Sequence, residues 1–186
     1  MKVGIVLSTI RKNRKSADVA NFVLDVANGL EKKDVEFELV DLRDYNLPLF
    51  DEALPPAAAL ERESEEAKVW AKKLDELDMF IFVNAEYNRS IPGSFKNALD
   101  FVSREFRNKA GAIISYGSTG GNSSVDHLRL VVSRLGLTVV RNQPFFTNST
   151  DFDKSNNLLE KSKERTYKSI ETMIKTTIEM SRQLSK

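Results

Sequence analysis

The feature that most constrains this chain is an alternation: short apolar runs rich in β-branched residues are separated by longer amphipathic stretches. The runs are Val3 to Leu7, Val35 to Val40, Met79 to Val83, Gly111 to Ser115 and Leu137 to Val140. Near-continuous hydrophobicity of this kind suits strands covered on both faces, which parallel sheets require. Between the runs, Ser16 to Leu30 places Val19, Phe22, Val23, Val26 and Leu30 on one helical face. Ala57 to Leu77 is charged but keeps Leu60, Ala67, Trp70, Leu74 and Leu77 near one stripe. A helix follows Pro92, another carries His127, and the tail from Ser155 repeats the pattern through Tyr167, Ile170, Ile174 and Ile178. Strand and helix in regular alternation predict an α/β fold with five parallel strands and crossover helices.

At 186 residues the chain can bury a substantial core, and no linker or repeat divides it, so a single domain over residues 1–186 is expected. A formal net charge of +1 gives no bulk attraction to nucleic acid or to a membrane surface. The absence of cysteine removes disulfides, thiolate metal sites and cysteine nucleophiles, so redox chemistry would need a bound cofactor. No His/Asp/Glu cluster has metal-ligand spacing. The N-terminus MKVGIVLSTIRK lacks the pattern of a cleaved leader, and a cytoplasmic location is the expectation.

In open parallel sheets ligands gather at the carboxyl ends of the strands, which directs attention to three loops. After the first strand, STIRKNRKS (Ser8 to Ser16) sets three hydroxyls and four cations ahead of a helix. A helix start supplies free amides and a favourable dipole for an anion, so this loop reads as a phosphate cup or, alternatively, as a solvated basic loop capped by Ser16. After the third strand comes NAEYNRSIPGSFKNALD (Asn84 to Asp100), with Pro92 suited to a first helical turn and Asn88 suited to positive φ. After the fourth comes SYGSTGGNSS (Ser115 to Ser124), whose glycines allow close approach of backbone to a flat ligand or simply form a tight turn capped by Thr119, Ser123 or Ser124. No GxGxxG or GxxxxGK[ST] fingerprint is present, so dinucleotide binding in the Rossmann manner and nucleotide triphosphate hydrolysis both lose support.

The block EYNRSIPGSFKNALDFVS resembles the corresponding block of the NADPH-dependent FMN reductase family, flavodoxin-like enzymes that include quinone, azo-dye and chromate reductases. STIRKNRKS resembles that family's phosphate loop, SYGSTGG resembles its glycine loop, and LPLFDE follows the second strand in register. The resemblance implies a flavodoxin-like three-layer α/β/α fold with a five-stranded parallel sheet in the order 2-1-3-4-5. It implies that Ser8, Arg11 and Ser16, helped by Ile10 and Asn13, bind the FMN phosphate. Ala85, Glu86, Tyr87 and Asn88 would run along the isoalloxazine, chiefly as amide donors, and Ser115, Tyr116, Gly117 and Ser118 would border its other side. Hydride would pass from NADPH (or NADH) through FMN to a flavin, quinone, azo compound or similar small-molecule acceptor in ping-pong turnover, with no obligatory catalytic side chain. A homodimer or homotetramer is implied as well. The other class the same features admit is a flavodoxin-type FMN electron carrier, although such carriers are usually acidic and this chain is near neutral. Three positions depart from the family pattern: Leu7 and Arg89 stand where glycine is usual, and Ala85 where proline is. His127, Asp126 and Arg129 read as helix-face residues, and Trp70 as a core or subunit-contact residue.

Overall fold

The structure is a computed structural model and describes residues 1–185. Its strands are β1 (Lys2–Leu7), β2 (Glu36–Asp41), β3 (Met79–Ala85), β4 (Ala110–Gly117), β5 (Thr138–Val139) and β6 (Phe145–Thr147). Its helices are α1 (Ser16–Asn28), α2 (Glu65–Asp75), α3 (Gly93–Asp100), α4 (Asn122–Arg134) and α5 (Glu160–Leu184). All strand pairs are parallel, in the order β2-β1-β3-β4-β5, with β6 also paired to β4. The expected order 2-1-3-4-5 is therefore present.

Alternate side chains of each strand feed two cores, because successive residues point to opposite faces. Ile5, Ile81 and Ile114 join Val23 of α1 and Ile174 of α5 on one face. Val6, Phe82 and Ile113 join Trp70 of α2, Phe95 of α3 and Leu128 of α4 on the other. Trp70 is wholly buried, donates its indole N–H to the Ala98 carbonyl at 2.9 Å and meets Tyr45 edge-on, which confirms its core placement.

Several elements differ from the sequence expectation. The fifth strand position is split: β5 pairs with Ala110 and Gly111 of β4, and β6 with Ser115 to Gly117. Pro144 sits in the gap, where a residue without an N–H cannot extend a ladder, and its carbonyl accepts the Ser115 amide. Residues 57–64 are not helical; α2 starts after Ser64, whose Oγ accepts the Ala67 amide at 3.1 Å. Leu60, expected on the apolar stripe, is 90% exposed, and Tyr167 of α5 is also exposed. Pro92 is the residue before the first turn of α3 rather than part of it, and α5 begins at Glu160 rather than near Ser155.

Register aligns the carboxyl ends: Leu7 lies level with Asp41 and Val83, Ala85 with Tyr116, and Tyr116 with Phe146. The loops that leave β1, β3, β4 and β6 consequently emerge along one edge.

Candidate functional site

The first loop is pinned at its root. Ser8 is fully buried; its amide donates to the Val83 carbonyl and its Oγ accepts the Ala85 amide at 3.3 Å, so it ties β1 to β3. Thr9 and Ser16 are equally buried, with their hydroxyl oxygens 3.2 Å apart. Arg14 donates to the Thr9 carbonyl at 2.7 Å and makes a two-pronged ion pair with Asp41 at the end of β2. Arg43 reaches back to the carbonyls of Ile10 and Arg11. Carbonyls along this loop are thus turned toward clamping cations. The amides of residues 10–15 take no part in hydrogen bonds among the described residues. An arc of free amides at the start of a helix is an anion site in its physical essentials.

Electrostatics agree with that geometry. Burial and the charge of Arg11 both hold the Lys15 ammonium below its usual pKa, a crowding of cations that an anion would relieve. Tyr116, at the end of β4, is almost buried beside the Thr9 and Ser16 hydroxyls; burial pushes its phenol up to about 12 against their pull, so it remains a neutral donor. Burial also raises the Asp41 carboxyl, but the bonds from Arg14 and the Arg43 amide outweigh it and hold Asp41 below the ordinary carboxylate range.

The third-strand loop is a tight hairpin. Tyr87 and Ser90 exchange both backbone bonds at 2.9 Å, and the two central residues, Asn88 and Arg89, have φ of 49° and 63°. Paired positive φ values are those of a type I′ turn. One expectation is corrected here: the amides of Glu86 and Tyr87 are already committed, to the Tyr116 and Ser90 carbonyls, whereas the Asn88 amide has no partner among the described residues. Glu86 instead accepts the Ser124 amide near the start of α4 at 3.3 Å. In the fourth-strand loop, Ser115 is buried and donates to the Gly120 carbonyl at 2.6 Å. Gly117 has no room for a side chain, since a Cβ there would meet Cβ of Glu86 and the Gly121 amide nitrogen at 3.0 Å. Gly121, at φ 78°, precedes α4 in place of a hydroxyl cap, and the amides of Ser118 and Thr119 are left free.

These loops enclose a cleft of about 390 Å³ lined by residues 11–15, Glu86, Tyr87, Tyr116, Asn148 and Asn156. Arg11 lies over the Tyr87 ring, 5.8 Å from its centroid. Of the expected residues, Arg11, Asn13, Glu86, Tyr87 and Tyr116 line this cleft; Ser8, Ser16, Ala85 and Ser115 are fully buried, and Asn88, Gly117 and Ser118 lie outside its lining. Ile10 instead borders a larger neighbouring groove of about 960 Å³, formed with Leu42, Arg43, Leu47, Leu49 and Asn97. The smaller cleft is the candidate site, because the free amides of the first loop, its crowded cations and the Tyr116 phenol meet there. Lys12, Arg14, Lys15, Asn148 and Asn156 also line it and were not among the expected residues. The three cations of the first loop were visible as charges, but the two asparagines lie in a segment with no motif. Among the described residues, no group of three or more His, Asp or Glu could hold a metal, and no helix is long and apolar enough to cross a membrane.

A doubly wound sheet with an arc of free amides on its first loop, and a cleft that this loop shares with Glu86, Tyr87 and Tyr116 at the ends of β3 and β4, defines a flavodoxin-like α/β protein. The comparisons narrow this further. The sequence matches the NADPH-dependent FMN reductase family over residues 1–151, and the chain belongs to that family. An NAD(P)H-dependent FMN reductase of Saccharomyces cerevisiae is 30% identical over 148 residues, 75% of this chain and 78% of that protein. One from a Nectria species is 37% identical over 124 residues, 65% of this chain, and the match spans 62% of that protein's own length. Among solved structures, the flavoenzyme NAD(P)H:(acceptor) oxidoreductase of Paracoccus denitrificans has a TM-score of 0.75 at 19% identity, covering 98% of this chain and 97% of that one. Oxidised flavodoxin 1 of Bacillus cereus shares the fold at a TM-score of 0.58 and 14% identity, covering 94% of this chain and 98% of that one.

The site suits FMN on its own terms. Two buried polar atoms in or beside the cleft, Arg14 Nε and Asn148 Oδ1, have no partner, and a phosphorylated polyol carries both acceptors and donors for such atoms.

Proposed function

We propose that this protein is an FMN-containing oxidoreductase that uses NADPH or NADH to reduce a quinone, flavin, azo compound or similar small acceptor. The observation that carries this is the meeting, in one cleft, of the partnerless amides and crowded cations of the loop ahead of α1 with Glu86, Tyr87 and Tyr116 at the ends of β3 and β4. When bound, FMN supplies the hydride chemistry, which lets donor and acceptor take turns at one site in a ping-pong sequence.

The chain's own residues bind and orient. The amides of residues 10–15, with Arg11 and Lys15, would hold the phosphate, and the Tyr116 hydroxyl in the cleft lining would supply a further donor, positioned by the buried Thr9 and Ser16 hydroxyls. The free amides of Asn88, Ser118 and Thr119 would meet polar atoms of the ring. Their dipoles stabilise negative charge without side-chain proton transfer, so no catalytic acid or base is assigned. We propose further that the protein acts in the cytoplasm as a homodimer or homotetramer.

The test is reconstitution with FMN followed by anaerobic addition of NADPH and, in a parallel sample, NADH, monitored at the main flavin absorption band. Uptake of FMN and rapid bleaching are expected. Failure of either would overturn the enzyme assignment, and uptake without bleaching by NADPH or NADH would leave a flavin-binding carrier.

A further inference from the structure

We infer that the segment 148–158 forms a fourth wall of the cofactor cleft, in which Asn148 accepts a hydroxyl of the ribityl chain and Asn156 holds the phosphate loop in its binding shape. This rests on the FMN assignment above. The segment straddles residue 151, where the match to the family ends, and neither asparagine lies in the three loops that the motifs mark.

Asn148 is fixed from behind, since its amide donates to the Gly117 carbonyl at 2.9 Å. Asn148 is among the residues that line the cleft, and its Oδ1 is buried without a partner. A buried acceptor left unpaired is costly, so it is matched to a ligand that brings a donor. Phosphate oxygens bring none. A polyol brings several, and a polyol is what must run between an anion held at residues 10–15 and a ring held near Glu86 and Tyr87 in the same cleft.

Asn156 acts from the other side. Its Nδ2 donates to the Asn13 carbonyl at 3.0 Å, and both residues adopt positive φ, 69° and 52°. The segment around it is anchored independently: Leu158 donates its amide to Asp18 of α1, Phe152 bridges to Leu158, and the Lys15 ammonium sits 4.8 Å from the Phe152 ring centroid. With the Asn13 carbonyl held by Asn156, the amides of residues 10–15 are left without partners in the loop that lines the cleft. Asn156 is therefore a positioning residue for the phosphate, not a contact to it.

The two roles separate by ligand. Titration of the apoprotein with FMN, riboflavin and lumiflavin, which lacks the ribityl chain, reads them directly. For Asn148→Ala, the Kd values of FMN and riboflavin should both rise about tenfold while that of lumiflavin stays within about twofold. Asn148→Asp, which keeps the acceptor, should restore riboflavin binding. For Asn156→Ala, FMN should weaken about tenfold more than riboflavin. Equal weakening of all three flavins, or none, in Asn148→Ala would overturn its role, and equal weakening of FMN and riboflavin in Asn156→Ala would overturn the other. Wild-type protein that takes up no flavin would sink both this inference and the FMN assignment; normal uptake with unaltered variants would sink this inference alone.

Discussion

Arg89 occupies the second central position of the Tyr87–Ser90 hairpin at φ 63°, a conformation in which an L side chain is strained and glycine is not. The strained turn is held at its far end by Ser90, whose Oγ lies 3.0 Å from His127 Nδ1. Arg89→Gly should therefore raise stability by about 1 kcal/mol, seen as an increase in melting temperature of roughly 2–4 °C for a chain of this size. A decrease would mean that the guanidinium makes compensating contacts. Arg11 has the opposite character, an unconstrained cation resting over Tyr87 until an anion competes for it. Arg11→Ala should weaken FMN about tenfold and leave riboflavin nearly unchanged, because a charge-assisted bond to phosphate is lost and nothing else. Equal effects on the two flavins would remove Arg11 from the phosphate site.

At the scale of elements, the phosphate loop keeps its shape because β2 ends in Asp41 beside it. Arg14 is nearly buried and depends on that carboxylate. Asp41→Asn should cost about 2 kcal/mol, the worth of a hydrogen bond to a charged group, measured by urea unfolding. The sign with pH follows from the lowered pKa of Asp41 in the folded protein: its contribution is full above the unfolded value of 3.8 and is lost as pH falls through the folded value below it. Wild-type melting temperature should thus fall more steeply than that of Asp41→Asn below about pH 4. Parallel curves would show that the pair contributes nothing to acid sensitivity. The split of the fifth strand belongs to this scale too. The detour through Pro144 returns the chain beside the carboxyl end of β4 and delivers Asn148 to the cleft.

For the whole molecule, the two cores share every central strand, so neither can open without exposing the back of the other. Trp70, the single tryptophan, reports one core, while far-UV circular dichroism reports helices on both. Unfolding curves from the two probes should coincide, as a single cooperative domain requires. Separated transitions would divide the chain in two. Saturating FMN should shift both curves together, by about 2.7 kcal/mol at a hundredfold excess over Kd.

The strands at β1, β3 and β4, the helical faces of α1 and α4, and the three loops at one edge were legible in the sequence. Each is written in local terms: apolar runs, period-3.6 stripes, and turn residues such as Asn88 and Gly121 that tolerate positive φ. The cation-rich loop before Ser16 was legible for the same reason. What only the tertiary structure decided is which groups are free. The amide of Glu86 is spent on the neighbouring strand and Ser8 on a strand crosslink; Arg14 is claimed by Asp41, while the Asn88 amide and the buried Asn148 Oδ1 are left without partners among the described residues. Residue type states what a group can bond to, but whether a partner already occupies it depends on chain segments tens to more than a hundred residues away, as Asn156 on Asn13 shows.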